Sequence, residues 1–153
     1  MSDKILSIGW DRFAQDTLEL GKQLRALQGN WQALVAITRG GLIPAALIAQ
    51  TLDIRLIDTL CVQSRDEDKT IQSEPQVIKS LAPLTQSLHP EQLLVIDDLV
   101  DTGLTAGIVR QHWPQAYLAT VYAKPAGRPF VDRFVQEVAQ DIWIHFPWEP
   151  TPA

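Results

Sequence analysis

Cysteine is almost absent. Cys61 is the only one in 153 residues, so no disulfide within the chain can staple it and a small disulfide scaffold is excluded. No apolar run approaches the roughly 18 residues of a membrane span. The segment Met1-Ser2-Asp3-Lys4 does not lead from a basic stretch into an apolar one, so no secretory signal is expected. Basic residues are in the minority, 13 Lys and Arg against 18 Asp and Glu, for a net charge of −5. That balance argues against nucleic acid as a partner, because nonspecific binding needs clustered cations facing phosphates. It does not exclude a small phosphate ligand, since backbone N–H groups or a metal ion bind phosphate in a negative protein. His89, His112 and His145 lack metal-ligand spacing. No Ser-His-Asp or Cys-His order stands out, and neither a Walker loop nor GxGxxG occurs. What remains is a composition of 46% hydrophobic and 20% charged residues, which predicts one soluble domain with a substantial core in a reducing cytoplasm.

Apolar patterning predicts an α/β chain. Trp10 to Leu27 reads as a helix, with Asp11 as its N-cap and Phe13, Leu20, Leu24 and Leu27 at helical spacing. Ala33 to Ile37 is a continuous apolar run suited to a strand covered on both faces, and it ends in the turn Thr38-Arg39-Gly40-Gly41. A helix over Pro44 to Leu52 and a strand over Ile54 to Val62 complete a βαβ unit with parallel strands. Ser64 to Pro75 is polar and charged without an apolar period and reads as a mobile functional loop. A weak helix is expected over Gln76 to Leu81. Leu93 to Ile96 is the clearest buried strand, followed by a helix to about Trp113 and a strand over Tyr117 to Ala123. Short strand-like pieces, Phe134 to Val138 and Trp143-Ile144, form a small C-terminal appendage. No repeat or linker divides residues 1–153, so the expectation is a single domain: a central, mostly parallel sheet flanked by helices. Most of its five tryptophans, Trp10 and Trp31 among them, should lie in the core, with Cys61 a small buried apolar residue.

The densest chemical signal follows Ile96. The strand delivers Asp97 and Asp98 to its carboxyl end, then Asp101, then Thr102-Gly103-Leu104-Thr105 at a helix start. Ligands of open α/β sheets bind beyond strand carboxyl ends. A helix start offers free N–H groups and a positive dipole end to phosphate, with Thr102 and Thr105 adding hydroxyls and Gly103 permitting close approach. The carboxylates cannot take phosphate. They suit Mg²⁺ or sugar hydroxyls. Turn capping alone would explain a solitary Asp-Asp, but not one in register with this strand, loop and helix. The Arg39-Gly40-Gly41 turn is a second cradle: paired glycines allow positive φ and expose N–H groups, and Arg39 carries a permanent charge. Alone, it would be an ordinary turn with a surface arginine. Lys124 ends a strand and can donate to a carbonyl, while Trp143 offers an indole face to a planar base. A solvated lysine and a core tryptophan are the plainer readings of that pair.

These residues resemble a known family. Val95-Ile96-Asp97-Asp98-Leu99-Val100-Asp101-Thr102-Gly103 is similar to the phosphoribosyl-diphosphate motif of the type I phosphoribosyltransferases. Thr38-Arg39-Gly40-Gly41-Leu42-Ile43-Pro44, Ala123-Lys124-Pro125-Ala126-Gly127-Arg128-Pro129 and Asp141-Ile142-Trp143-Ile144 resemble, in order and spacing, the xanthine-guanine members of its purine-salvage branch. The likeness runs from about residue 10 to residue 149. It implies the type I fold and Mg²⁺-dependent transfer of 5-phosphoribosyl from phosphoribosyl diphosphate to xanthine, guanine or hypoxanthine, releasing pyrophosphate. It further implies that Asp97 and Asp98 hold ribose hydroxyls and the metal, that Asp101 is the base near purine N7, and that Thr102, Gly103, Leu104 and Thr105 cradle the 5′-phosphate. By the same likeness Arg39, Gly40 and Gly41 meet pyrophosphate, Lys124 meets the C6 oxygen, Trp143 stacks on the base, the Ile144 backbone reads its C2 side, and Ser64 to Pro75 is a closing hood. The family usually has Ser-Tyr where Ser64-Arg65 stands, and a second glycine where Leu104 stands, which a helical backbone at Leu104 would accommodate. A cytoplasmic homo-oligomer, dimer or tetramer, is implied, and a peripheral association with the inner membrane is compatible with it. Two alternatives share the fold: a nucleotide-sensing regulator, which needs a nucleic-acid surface that this acidic chain does not offer, and the same transfer to a different base.

Overall fold

The computed structural model describes residues 4–63 and 74–151. The chain runs β1 (Lys4–Ser7), α1 (Trp10–Ala26), β2 (Ala33–Thr38), α2 (Leu42–Leu52), β3 (Ile57–Gln63), β4 (Gln76–Lys79), α3 (Pro83–Gln86), β5 (Leu93–Val100), α4 (Leu104–His112), β6 (Tyr117–Ala123), β7 (Gln136–Glu137) and β8 (Ile142–His145). Six strands make one sheet in the order β4-β3-β2-β5-β6-β7, parallel except for β4 at one edge.

The central strands are apolar at consecutive positions because both faces are covered. Leu34, Ala36, Leu94 and Ile96 pack with Phe13, Leu20 and Leu24 of α1 and Ala45 and Ile48 of α2. Their neighbours Ala33, Val35, Leu93 and Val95 point the other way, into a second core with Ala106 and Val109 of α4. Each fully buried Leu or Ile there contributes roughly 2 kcal/mol. From β2 the chain moves outward through α2 to β3 and β4. It then returns to β5, on the other side of β2, and moves outward in the opposite direction through α4 to β6. The reversal lies between β2 and β5, and the crevice beyond their carboxyl ends is where such sheets take ligands.

β1 and β8 pair in parallel as a separate two-stranded sheet, Lys4 opposite Ile142 through Ser7 opposite His145. The expected C-terminal appendage is thus half N-terminal. Phe146 and Trp148 hold it to the body: their rings stack 4.7 Å apart and meet Phe13 of α1 at 6.1 and 4.8 Å.

Several local expectations change. α1 starts at Trp10 with Gly9 as an N-cap that makes no side-chain cap bond. Asp11 therefore lies inside the first turn, where its charge favours the dipole, and does not cap. Trp10, expected in the core, is 54% exposed at that rim, its ring 6.2 Å from Trp148. Trp31 does pack against the core, 5.2 Å from Tyr117. Gln76 to Leu81 is not a helix. Gln76–Lys79 pairs antiparallel with β3, where the β-branched Val77 and Ile78 suit a strand and Lys79 reaches Asp58 at 3.0 Å. β3 begins only at Ile57, because Asp53 closes α2 with a left-handed backbone (φ 52°) and the following residues complete the turn. Cys61 is half-buried, beside the short edge strand and its bulge. The strand expected over Phe134 to Val138 shortens to Gln136–Glu137. The expected hood, Ser64 to Pro75 with Arg65, lies outside the described residues save for its last two. Among the described residues no helix is long and apolar enough to cross a membrane.

Candidate active site

β5 continues past Ile96 to Val100, so Asp97 and Asp98 stand inside the strand, Asp97 opposite Thr120 of β6. The Asp98 N–H donates to Asp97 Oδ1 at 2.9 Å. Burial pushes the Asp97 carboxyl well above the usual carboxylate range, and the adjacent Asp98 charge adds to the rise. Burial also lifts Asp98, to about 6, with the Glu149 charge adding to it and hydrogen bonds from Asp97 and the Leu99 N–H opposing it. Among the described residues no basic side chain forms an ion pair with either.

The chain then bends through Asp101 and Thr102 into α4. Gly103 is the N-cap, left-handed at φ 89°, and no side chain caps the helix. A Cβ at Gly103 would overlap the Phe130 ring, so this glycine answers to a packed phenyl ring as well as to its backbone. Leu104 is the first helical residue, the geometry that its place in the loop requires. The first-turn N–H groups are left without an intrahelical partner, beside exposed Thr102 and half-buried Thr105.

Across the switch point, Arg39, Gly40 and Gly41 lead from β2 into α2. A Cβ on Gly40 would overlap the Asp98 carboxylate, and one on Gly41 would sit 2.5 Å from the Ile96 carbonyl oxygen. The glycines are required by this contact with β5, not by positive φ as expected: the only glycine with positive φ among the described residues is Gly103. The Thr38–Arg39 peptide is cis. Arg39 is exposed; its carbonyl accepts from the Leu42 N–H at 3.1 Å, and its side chain makes no hydrogen bond or ion pair among the described residues.

Lys124 directly follows β6, and its N–H donates to the Val100 carbonyl at 2.9 Å. Its side chain is 5% exposed, with Nζ 3.4 Å from Asp101 Oδ2, so the solvated-lysine reading fails. Asp101 Oδ1 accepts from Gln140 Nε2 at 2.8 Å, and Gln140 Oε1 accepts from the Ala126 N–H at 2.9 Å. Gln140 was not visible from the sequence; its one signal is that it immediately precedes Asp141-Ile142-Trp143-Ile144. On β8, Trp143 is 53% exposed and Ile144 is buried, as strand alternation requires. The structure thus joins Arg39-Gly40-Gly41 to Asp98, and Asp101 to Lys124. It leaves Trp143 on the appendage, which the Gln140 side chain ties to Asp101. Among the described residues no group of three or more His, Cys, Asp or Glu could hold a metal ion.

Sheet order, switch point and crevice define an α/β protein with the type I phosphoribosyltransferase fold. The chain belongs to the phosphoribosyl transferase domain family, whose pattern matches residues 9–153. Among solved structures it is similar to a purine phosphoribosyltransferase from Pyrococcus horikoshii, at 23% identity over 97% of each chain with a TM-score of 0.81. It is also similar to the xanthine-guanine-hypoxanthine phosphoribosyltransferase of Helicobacter pylori, at 26% identity over 95% of this chain and 94% of that one, TM-score 0.71. A hypothetical protein from Neisseria gonorrhoeae with bound ppGpp matches at 20% identity over 98% and 92%, TM-score 0.76.

Proposed function

We propose that this protein transfers 5-phosphoribosyl from phosphoribosyl diphosphate to a 6-oxopurine, xanthine or guanine foremost and hypoxanthine next. The observation that carries the base is the Lys124–Asp101 pair. An ammonium and a carboxylate 3.4 Å apart present one donor and one acceptor side by side. The C6 oxygen and N7–H of an oxopurine are likewise adjacent, an acceptor beside a donor. Arg39 follows β2 and the first turn of α4 follows the adjacent β5, which suits a sugar with phosphate at both ends. The solved purine phosphoribosyltransferases with this fold support the same reading.

In the reaction, purine N9 forms a bond to ribose C1′ while the bond from C1′ to the pyrophosphate oxygen breaks, and the N7 proton passes to Asp101. The ribose gains oxocarbenium character on the way, as in glycoside cleavage. Asp97 and Asp98 accept from the ribose hydroxyls. Lys124 turns from Asp101 to the C6 oxygen, Trp143 stacks on the ring and the Ile144 backbone reads its C2 edge. Thr102, Gly103, Leu104 and Thr105 take the 5′-phosphate, and Arg39, Gly40 and Gly41 take pyrophosphate. A donor set of two carboxylates, with no third ligand beside them among the described residues, fits Mg²⁺, which draws other ligands from phosphates and water. Held by Asp97 and Asp98, Mg²⁺ would supply charge neutralisation to the departing diphosphate.

The test is product formation from phosphoribosyl diphosphate and Mg²⁺ with xanthine, guanine, hypoxanthine, adenine, orotate and uracil in turn. The 6-oxopurines should react and the pyrimidines should not. No product with any base overturns the enzyme reading. The ppGpp-bound Neisseria protein favours a second reading, a nucleotide-binding protein without turnover, whose signature in the same panel is nucleotide binding with no product.

A further inference from the structure

The crevice holds one side chain that none of these roles uses. Gln140 lies in the turn just before β8, and its amide makes two directed contacts. Nε2 donates to Asp101 Oδ1 at 2.8 Å, and Oε1 accepts from the Ala126 N–H at 2.9 Å. The second bond fixes the first. With the Oε1 end held by a backbone N–H, the amide cannot flip, so its NH₂ must face Asp101. Asp101 is itself 43% exposed and follows the last residue of β5, so little packing holds its rotamer. Its other restraint is Lys124, the group whose ammonium must leave Asp101 to reach a base carbonyl. When Lys124 turns away, Gln140 is the one described neighbour still bonded to the Asp101 side chain.

We infer that Gln140 is a positioning residue, which holds the Asp101 carboxylate in its reactive rotamer through the exchange of Lys124 from carboxylate to base. The inference rests on the proposed transfer reaction and on Asp101 as its proton acceptor. Gln140 touches neither substrate nor the transferred proton. It occupies Oδ1 and leaves Oδ2, vacated by Lys124, to face N7–H. Because Gln140 lies two residues before the start of β8, it also links two substrate contacts: the strand carrying Trp143 and Ile144 cannot shift along the crevice without pulling on Asp101. A docked base and a correctly aimed carboxylate therefore come together.

Two substitutions separate positioning from plain structural support. Gln140→Glu keeps an acceptor for the Ala126 N–H but replaces the donor to Asp101 with a second carboxylate oxygen. Gln140→Leu removes both bonds. Positioning predicts that Gln140→Glu lowers kcat by about 30- to 100-fold, the scale of a misplacement near 1 Å, with KM for phosphoribosyl diphosphate changed less than about twofold. Gln140→Leu should fall as far. A purely structural role predicts that Gln140→Glu keeps wild-type kcat while Gln140→Leu loses thermal stability; that result overturns the inference, as does a loss confined to KM. Crystal structures of Lys124→Met and of Lys124→Met with Gln140→Leu read the same point without turnover: with Lys124 gone, Asp101 should keep its rotamer in the first and leave it in the second, and finding it in place in both overturns the inference even if a variant is slow. Should wild-type protein yield no product with any base, the reaction reading fails while the crystallographic comparison still decides what Gln140 does to Asp101.

Discussion

Aspartate stands on both sides of β2, and the two surroundings treat it in opposite ways. On β3, Asp58 is buried, and burial alone would raise its carboxyl. The facing Thr85 hydroxyl, the Ala82 N–H, the Lys79 ammonium and the Thr59 N–H outweigh burial and hold it down at about 2. Three of these are hydrogen bonds, 2.7 Å from the Thr59 N–H, 3.0 Å from Lys79 and 2.7 Å from the Ala82 N–H, while the Thr85 hydroxyl faces the carboxylate without a hydrogen bond to it. On β5, Asp97 and Asp98 meet burial with almost no compensation, and both are pushed up. The fold answers the Asp58 charge itself, using it to fasten β4 and α3 to the sheet. Asp97 and Asp98 have hydrogen bonds from each other and from neighbouring N–H groups, but no cation faces them among the described residues. A desolvated carboxylate short of partners is costly, and the proposed reaction supplies the missing partner as a bound ligand.

The comparison breaks first at Asp97 and Asp98. Asn at either position should cost about a thousandfold in turnover, the upper range for losing a charged group that organises the transition state, while thermal stability holds or rises because a buried charge is gone. A lowered melting temperature would make the pair structural and dissolve the contrast. Asp58→Asn should do the reverse. It should lose about 3 kcal/mol of stability, since several donors then face a neutral amide, and keep kcat per folded molecule. Chemical denaturation and active-site-normalised kinetics together read both halves. A smaller effect follows from pH. The Asp58 contribution, about 2 kcal/mol, is complete above pH 4 and is lost as pH falls towards 2, because the folded state holds the proton less tightly than the unfolded one. The Asp98 contribution has the opposite sign: full below pH 4 and lost as pH rises to about 6. Melting curves from pH 2 to 7 should therefore lose their acid slope in Asp58→Asn, while Asp98→Asn should make the slope above pH 4 shallower without abolishing it, because burial still raises Asp97.

Much of the fold was legible where burial is two-sided. β2 and β5 read as unbroken apolar runs, and Tyr117–Ala123 matched residue for residue, because a strand between two cores has no solvent face to blur its pattern. The approach of Arg39-Gly40-Gly41 to Asp98 is expected from both lying at strand ends; β5 instead continues to Val100, with Asp98 inside it, and the reason for the glycines is a neighbouring carboxylate and not their dihedral freedom. What stayed hidden depended on partners distant in sequence. Lys4–Ser7 is mostly exposed and becomes a strand only through Ile142–His145. Gln76–Lys79 is too short for periodicity to decide, and its antiparallel partner decides it. Gln140, one exposed amide in a polar turn, has no spacing to betray it; its meaning exists only once three chain segments have closed around Asp101.

The β1–β8 pairing sets an order of events for a chain emerging from the ribosome. β2, β3 and β5 and the helices over them can assemble as they are synthesised, so the half of the crevice formed by Arg39-Gly40-Gly41 and the start of α4 takes shape on the growing chain. The half that carries Trp143 and Ile144 cannot. β1, made first, waits unpaired until residues 142–145 arrive, and only then do Trp143, Ile144 and the Gln140 link to Asp101 fall into place. On the proposed reading, a nascent chain acquires the surface assigned to the sugar phosphate before the constellation assigned to catalysis, and premature release would leave a body lacking the Gln140 link to Asp101.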